Sequence, residues 1–258
     1  QEYTDDDFCV AGVGGLFNTV TFYSSGYNSD SFGKNDSAHL RDISFEGCDI
    51  SLTYVTSGGG ESSTSSKVVN ERVGVGCFAG STANAESTTG IFKKVCITTS
   101  EVNGGSNAGG LIGTAGWMGR STSKDTSLIV DAGDGYKVFP VNLYDCSYSG
   151  LNVSARSCAA GFVGSILSGA SGLWVTSSTD VANNSTISIV EKGKESANEG
   201  CVAGGLFGLA GGQTYVNTGQ SASASQVATI KDVTIAVNHK ATGIGCIVGR
   251  ARKQVTVN

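Results

Sequence analysis

The chain has 258 residues, 38 of them glycine and only one proline, and it carries a formal net charge of −5. Charged residues make up 15% of the chain, well below the usual quarter, whereas hydrophobic residues make up 39%, which suffices for a core and excludes a disordered polar tail. The acidic balance gives no field that would attract phosphate groups, so we expect no nucleic-acid partner.

We also expect no membrane span, because no segment is apolar over the length that a transmembrane helix needs. The longest uncharged run, residues 200–230, starts as GCVAGGLFGLA but then turns to Gln, Thr, Asn and Ser. The chain begins QEYTDDDF, without Met or an apolar signal core, and it ends VTVN within a strand-like pattern. These features predict a processed or excised part of a longer protein.

A five-residue word recurs six times along the chain. It consists of two small residues, a large apolar residue, a further apolar residue and, in five copies, glycine. In chain order the copies are GGLFN from Gly14, GCFAG from Gly76, GGLIG from Gly109, AGFVG from Ala160, GGLFG from Gly204 and GCIVG from Gly245. The segments between them vary in length and are rich in Ser, Thr, Asn and Gly, which is typical of a solenoid whose loops grow while its strands keep register.

Alternating β-branched and aromatic segments lie between the words. They are LRDISFEGCDIS (40–51), IFKKVCITT (91–99), VNLYDCSYSGLNV (141–153), STISIVE (185–191) and TIKDVTIAV (229–237). Alternation with a period of two buries one face of a strand and exposes the other. The single proline, Pro140, precedes a strand, where its missing N–H does least harm.

These elements predict an all-β fold, a β-solenoid of about six irregular coils that forms one domain over residues 1–258. We expect the large residues of the words to point inward and stack; they are Leu16, Phe78, Leu111, Phe162, Leu206 and Ile247. We expect the glycines to lie where the chain turns sharply against the next coil. They are Gly14, Gly15, Gly76, Gly80, Gly109, Gly110, Gly113, Gly161, Gly164, Gly204, Gly205, Gly208, Gly245 and Gly249.

The words GGLFG, GGLIG and AGFVG, each preceded by a strand and followed by a polar turn, resemble the GLUG motif of large secreted and surface proteins and adhesins. As a repeat, the resemblance covers nearly the whole chain. It implies a right-handed parallel β-helix or a related solenoid and a surface location, and it implies no catalytic residues because the motif is structural. Cys77 and Cys246 depart from the motif, since they replace its second glycine.

Eight cysteines are more than a cytosolic protein of this size usually carries, and they favour secretion. They lie in the alternating strands (Cys48, Cys96, Cys146), just before the words (Cys9, Cys158, Cys201) and within them (Cys77, Cys246). At a coil spacing of about 4.8 Å, Cys48 with Cys96 and Cys158 with Cys201 could form disulfides between coils. The alternative is a ladder of buried free thiols.

Four sequons for N-glycosylation give weaker support for an extracellular origin. Their asparagines are Asn35, Asn152, Asn183 and Asn184, each in a polar setting that is typical of a loop.

No cofactor or metal is expected. Two acidic segments, Asp5–Asp7 and Asp131–Asp134, could supply oxygen ligands to calcium, but neither matches a defined loop, and a solvated end and an Asp-Gly turn explain them better. His39 and His239 are isolated and no CxxC pair exists, so a zinc site is not indicated.

We therefore expect a non-catalytic extracellular or cell-surface protein that builds a filament, an appendage or an adhesin stalk. Its expected partners are copies of itself or the rest of a longer chain, with surface glycans as a further partner, because uncapped coils invite stacking of coil on coil.

Two alternatives involve carbohydrate. A polysaccharide lyase or hydrolase would need clustered carboxylates and a basic residue on the outer face of neighbouring strands, and the candidates are Arg41, Asp42, Asp49, Lys231 and Asp232. A carbohydrate-binding adhesin module would use exposed aromatic rings on loops, here Trp117 and Trp174.

Overall fold

The computed structural model describes residues 12–22, 40–52, 73–84, 90–116, 141–167, 171–176, 179–190, 201–216, 227–237 and 241–257. Within these ranges the regular structure consists of β-strands, and no helix occurs.

The strands follow one another in six successive levels, each of which repeats the same order. Level 1 holds β1 (Gly12–Gly14), β2 (Phe17–Phe22), β3 (Leu40–Glu46) and β4 (Asp49–Ser51). Level 2 holds β5 (Gly74–Gly76), β6 (Ala79–Asn84), β7 (Ile91–Thr98) and β8 (Glu101–Asn103). Level 3 holds β9 (Asn107–Gly109), β10 (Ile112–Ala115), β11 (Val141–Tyr144), β12 (Ser147–Ser149) and β13 (Asn152–Ala155).

The remaining three levels continue the pattern. Level 4 holds β14 (Cys158–Ala160), β15 (Val163–Ile166), β16 (Ser171–Trp174) and β17 (Thr179–Ile189). Level 5 holds β18 (Cys201–Gly204), β19 (Phe207–Ala210), β20 (Thr214–Val216) and β21 (Ala228–Val237). Level 6 holds β22 (Ala241–Gly245), β23 (Val248–Ala251) and β24 (Val255–Val257).

The strands form three sheets, and the chain visits the sheets in turn. Sheet 1 has the order β1-β5-β9-β14-β18-β22, and sheet 2 has the order β2-β6-β10-β15-β19-β23. Sheet 3 contains the other twelve strands, two or three from each of levels 1–5 and one from level 6. The pairings between described strands are all parallel. Each level therefore adds one layer to every sheet.

In-register pairing aligns equivalent residues of successive levels in columns. One apolar column in sheet 3 consists of Leu40, Phe92, Leu143, Leu173, Val216 and Val257. Its first five members are buried, with exposed fractions of 6% or less. Burial of each such side chain contributes about 1.5–3 kcal/mol of favourable free energy, so a column with five buried members stabilises the stack substantially.

The outer face of sheet 3 bends where residues with positive φ lie above one another. In levels 1 to 5 these residues are Gly47, Thr99, Gly150, Asn184 and Asp232, with φ between 42° and 63°. The bends remain hydrogen-bonded between levels, because the Gly47 N–H donates to the Thr98 carbonyl at 3.1 Å and the Thr99 N–H donates to the Ser149 carbonyl at 2.9 Å.

Sheets 1 and 2 lie back to back at a distance that leaves no room for side chains at several points. A Cβ atom on Gly80 would lie 2.3 Å from the Cα of Gly12, and one on Gly113 would lie 2.5 Å from the Cα of Gly74. Both distances are shorter than real Cβ contacts, so the glycines of the words are what permit the two sheets to meet.

The prediction of an all-β fold is confirmed, and the sheets are long and parallel as a solenoid requires. The sequons differ from their predicted loop setting, because Asn152 begins β13 and both Asn183 and Asn184 lie within β17. Trp174 likewise ends strand β16 rather than lying on a loop.

The close approach between levels can be tested with Gly205→Ala. A Cβ on Gly205 would lie 1.9 Å from the Cys246 carbonyl oxygen of the next level, so the backbone must move. We expect the free energy of unfolding to fall by about 3 kcal/mol in urea titrations followed by circular dichroism. As a control, Gly47→Ala meets no atom within 4 Å but retains a positive φ, so it should cost only about 1 kcal/mol. Equal losses for the two variants would contradict the role of the close approach.

Candidate assembly surfaces

The two ends of the stack are the candidate functional surfaces. At one end the strands of level 1 pair only with strands of level 2, and at the other end β22, β23 and β24 pair only with strands of level 5. Strand β21 pairs only with β17. Within the described residues, each end therefore presents a parallel edge whose backbone groups have no partner strand.

Apolar side chains become exposed where the columns reach these ends. At level 1, Leu16 and Phe17 are 52% and 47% exposed, whereas Phe78, the equivalent of Leu16 in level 2, is 3% exposed. At level 6, Ile244 and Val257 are 55% and 51% exposed. The side chains that would form a core in the middle of the stack thus form an apolar surface at both ends.

Each repeated word forms the corner between sheets 1 and 2. Its first residue ends a strand of sheet 1, its second and third residues turn the chain, and its fourth residue begins a strand of sheet 2. In levels 2 to 5 the large third residue is buried, and these residues are Phe78, Leu111, Phe162 and Leu206. In the terminal levels the equivalent Leu16 is exposed and Ile247 is half-buried.

The corners are hydrogen-bonded from level to level in one direction. The N–H of Leu16 donates to the Cys77 carbonyl at 3.2 Å, and the N–H of Phe78 donates to the Leu111 carbonyl at 3.0 Å. The N–H of Leu206 donates in the same way to Ile247 at 3.1 Å. Corner amides thus point towards the following level and corner carbonyls towards the preceding one.

Tyr148 has no motif of its own in the sequence, yet it holds three levels together. Its ring packs edge-to-face on Phe162 with centroids 5.1 Å apart, and its hydroxyl donates to the Gly205 carbonyl at 2.5 Å. A Cβ on Gly161 would lie 2.2 Å from this ring. The glycine at the second corner position therefore creates the space that the tyrosine fills, and burial raises the pKa of its hydroxyl.

The seven described cysteines have free thiols, and the register separates the predicted pairs. Cys96 lies opposite Ser44 in one neighbouring strand and Ser147 in the other, so Cys48 is not its partner. Cys158 lies opposite Val202, one residue away from Cys201. Because successive residues of a strand face opposite sides, these two thiols lie in different apolar clusters.

The structure instead brings Cys48 and Cys77 together. Burial raises the pKa of the Cys77 thiol to about 12, and the neighbouring Cys48 thiol adds a smaller contribution in the same direction. Burial also raises the pKa of Cys146 to about 12. The neutral thiol is therefore the stable form at both positions, and neither is a reactive nucleophile at neutral pH.

A polar recess of about 450 Å³ lies on the outer face of sheet 3, beside the stacked bends. Its lining includes Thr99, Asn152, Asn184, Thr186 and Asp232, from levels 2 to 5. Among the candidate glycosylation sites, Asn152 and Asn184 are exposed, whereas Asn183 is half-buried. The recess thus presents hydroxyl, amide and carboxylate groups to solvent.

The residues proposed for polysaccharide cleavage do not converge. Arg41, Asp42 and Asp49 lie in level 1, where Arg41 and Asp42 form an exposed ion pair at 3.0 Å. Lys231 and Asp232 lie in level 5, and Lys231 forms an ion pair with Asp180. Four levels correspond to about 19 Å along the stack, which is too far for one catalytic cluster.

Trp174 is half-buried and stacks on Tyr144 of the preceding level, with ring centroids 5.1 Å apart and an interplanar angle of 19°. The ammonium group of Lys93 lies 5.7 Å from the centroid of the Tyr144 ring. This column therefore uses its aromatic faces for contacts between levels.

Several predicted positions lie outside the described residues: Cys9, Asn35, His39, Trp117, His239 and the acidic segments Asp5–Asp7 and Asp131–Asp134. In the part of the chain that the structure describes, no group of three or more His, Cys, Asp or Glu side chains could hold a metal ion.

The thiol environments predict an order of alkylation. Cys246 is exposed, whereas Cys77 and Cys146 are buried. We expect iodoacetamide to modify Cys246 of the monomeric protein at least about tenfold faster than the two buried thiols, as measured by peptide mass spectrometry. Denaturation in urea should equalise the three rates, and equal rates in the native protein would contradict the described burial.

Comparison with family models, with curated proteins and with solved structures finds no match to the chain. The resemblance to the GLUG motif therefore stays a prediction. Among the described residues, no helix has the length and apolar character needed to cross a bilayer.

Proposed function

We propose that the chain is a non-catalytic β-solenoid, a right-handed parallel β-helix that serves as a building block of an extracellular filament, appendage or adhesin stalk. The observation that carries the proposal is that, among the described residues, both ends of the stack present parallel edges without a partner strand, each bordered by exposed apolar side chains.

Open edges support assembly for a simple physical reason. A strand edge without a partner presents a row of unused donors and acceptors, which is a template for pairing with another chain. The two ends are different surfaces, so a contact between them is heterologous, and such contacts grow into filaments when they do not close into a ring. In a stack of similar levels, each joint repeats the contact that already exists between levels.

The cysteines and sequons support an extracellular location. Eight cysteines are more than a protein of this size usually carries in a reducing compartment. Two sequon asparagines, Asn152 and Asn184, are exposed on the outer face of sheet 3. In an oxidising compartment, Cys48 and Cys77 are the thiol pair that we expect to form a disulfide, because they already contact each other. The GLUG resemblance is consistent with the same location.

The polar recess favours a second function, carbohydrate binding by an adhesin module. Its amide, hydroxyl and carboxylate groups are suited to hydrogen bonds with sugar hydroxyls, and Asp232 supplies the only carboxylate among the described lining residues. This function is compatible with assembly, since the recess lies on the outer face of sheet 3 and leaves both ends free.

Electron microscopy tests the proposed assembly. We expect the purified protein under non-reducing conditions to form unbranched filaments with an axial repeat of about 29 Å per copy, because six levels are spaced about 4.8 Å apart. Mass measurement in the same buffer should show a ladder of oligomers. Discrete monomers at micromolar concentration would refute the filament proposal.

A glycan array tests the second function separately. Binding of a neutral oligosaccharide should be lost in Asp232→Ala and retained in Asp49→Ala, a matched change of an exposed aspartate in level 1 outside the recess. Absence of any bound glycan, or equal loss in the two variants, would count against the recess as a binding site.

A further inference from the structure

Each of the three sheets contains one apolar column whose first member in level 1 and last member in level 6 are both apolar. Within the chain each column runs through all six levels in register. If a second copy continued this register, its first residues would meet the last residues of the first copy. The pairs would be Val13 on Ile244 in sheet 1, Phe17 on Val248 in sheet 2 and Leu40 on Val257 in sheet 3.

The direction of the corner hydrogen bonds makes the two ends complementary. Because corner amides donate to the following level, the amides of Cys246 and Ile247 in level 6 have no following level in the described chain. Level 1 likewise presents corner carbonyls, such as that of Leu16, with no preceding level. Donors at one end match acceptors at the other, whereas two identical ends would place like groups together. The bonding pattern therefore favours contact between unlike ends.

The charges of the two terminal levels also have opposite signs. Level 6 contains three exposed basic residues and no acidic residue over 241–257, and level 1 contains three exposed acidic residues and one basic residue over 12–22 and 40–52. The basic residues of level 6 are Arg250, Arg252 and Lys253; the charged residues of level 1 are Asp42, Glu46, Asp49 and Arg41.

The complete sequence shows the same segregation of charge. Residues 1–52 contain nine acidic and two basic residues, whereas residues 227–258 contain five basic residues and one acidic residue. Two such ends attract each other when they are unlike and repel each other when they are alike.

We infer that copies of this chain join head to tail, with level 6 of one copy seated on level 1 of the next in the register of the internal levels. This inference rests on the proposed function and specifies its interface. In this joint β22, β23 and β24 of one copy pair with β1, β2 and β3 of the next copy. The unpaired edge of β21 lies next to the joint and is not part of it. Apolar columns provide the contact area, the corner amides set the direction, and the opposite charges steer the encounter.

Two charge-reversed variants test the joint. In R250E/R252E/K253E the described residues of both terminal levels carry a net negative charge, and in E46K/D49K the described residues of both terminal levels carry a net positive charge. Each variant alone should lose filament growth by at least about tenfold, measured by light scattering and electron microscopy. An equimolar mixture should recover growth, because each acidic level 6 can then join a basic level 1 and each basic level 6 an acidic level 1.

The outcomes separate the inference from the proposed function. If wild-type protein forms no filaments, the proposed function fails. If it does, and the single variants still assemble, or the mixture fails although circular dichroism shows both variants folded, the head-to-tail joint is wrong and the filament proposal stands.

A measurement on the unmodified chain covers the case in which a variant does not fold. The growth rate of wild-type filaments should fall at least about tenfold between about 0.02 M and about 0.5 M NaCl, because salt screens the attraction between the ends. An unchanged or faster rate would overturn the role of charge. The axial repeat gives an independent check of direction, since head-to-head joints would double it from about 29 Å to about 58 Å.

Discussion

Sheets 1 and 2 meet with backbone against backbone, and the rest of the structure is arranged around that contact. A Cβ atom on Gly80 would lie 2.3 Å from the Cα of Gly12, so no other residue fits without moving a strand. The same contact recurs between successive levels, as for Gly113 and Gly74. The distance between levels and the distance between sheets 1 and 2 therefore depend on each other. The frequent glycines of the described strands and corners thus follow from the packing.

Side-chain size is matched across the interior at the corners. Where the second corner residue is glycine, a large side chain of sheet 3 occupies the space: Leu151 approaches Gly110 and Tyr148 approaches Gly161. Where that residue is Cys77, the facing residue is the small Cys48. The replacement of glycine by cysteine in the repeated word is therefore compensated locally, and the level spacing is preserved.

Much of the fold could be predicted from the sequence, because the repeated word and the alternating strands report directly on corners and on buried faces. The buried positions of Leu111 and Phe162 follow from their place in the word. The register could not be predicted. The strands of levels 1 and 2 in sheet 3 pair as Leu40 with Phe92 before the bend and as Asp49 with Glu101 after it, and this register places Cys96 opposite Ser44 rather than Cys48.

The terminal surfaces could be predicted from the sequence only in part, for a related reason. Which side chains the terminal levels expose depends on the columns, and these form only in three dimensions. The clustering of acidic residues towards one end and basic residues towards the other is visible in the sequence. Its structural meaning becomes clear only when the described residues 12–22 and 40–52 are seen at one end of the stack and residues 241–257 at the other.

The number of residues between consecutive described strands varies from level to level after sheet 2 and after sheet 3. The segment between β10 and β11 covers residues 116–140, whereas that between β15 and β16 covers only residues 167–170, and the columns on either side keep their register. Length can therefore vary at these junctions at little cost to the core. In a polymer of such chains, any segment inserted there recurs once per copy in an evenly spaced row, so a weak ligand-binding sequence would gain avidity from multivalent display.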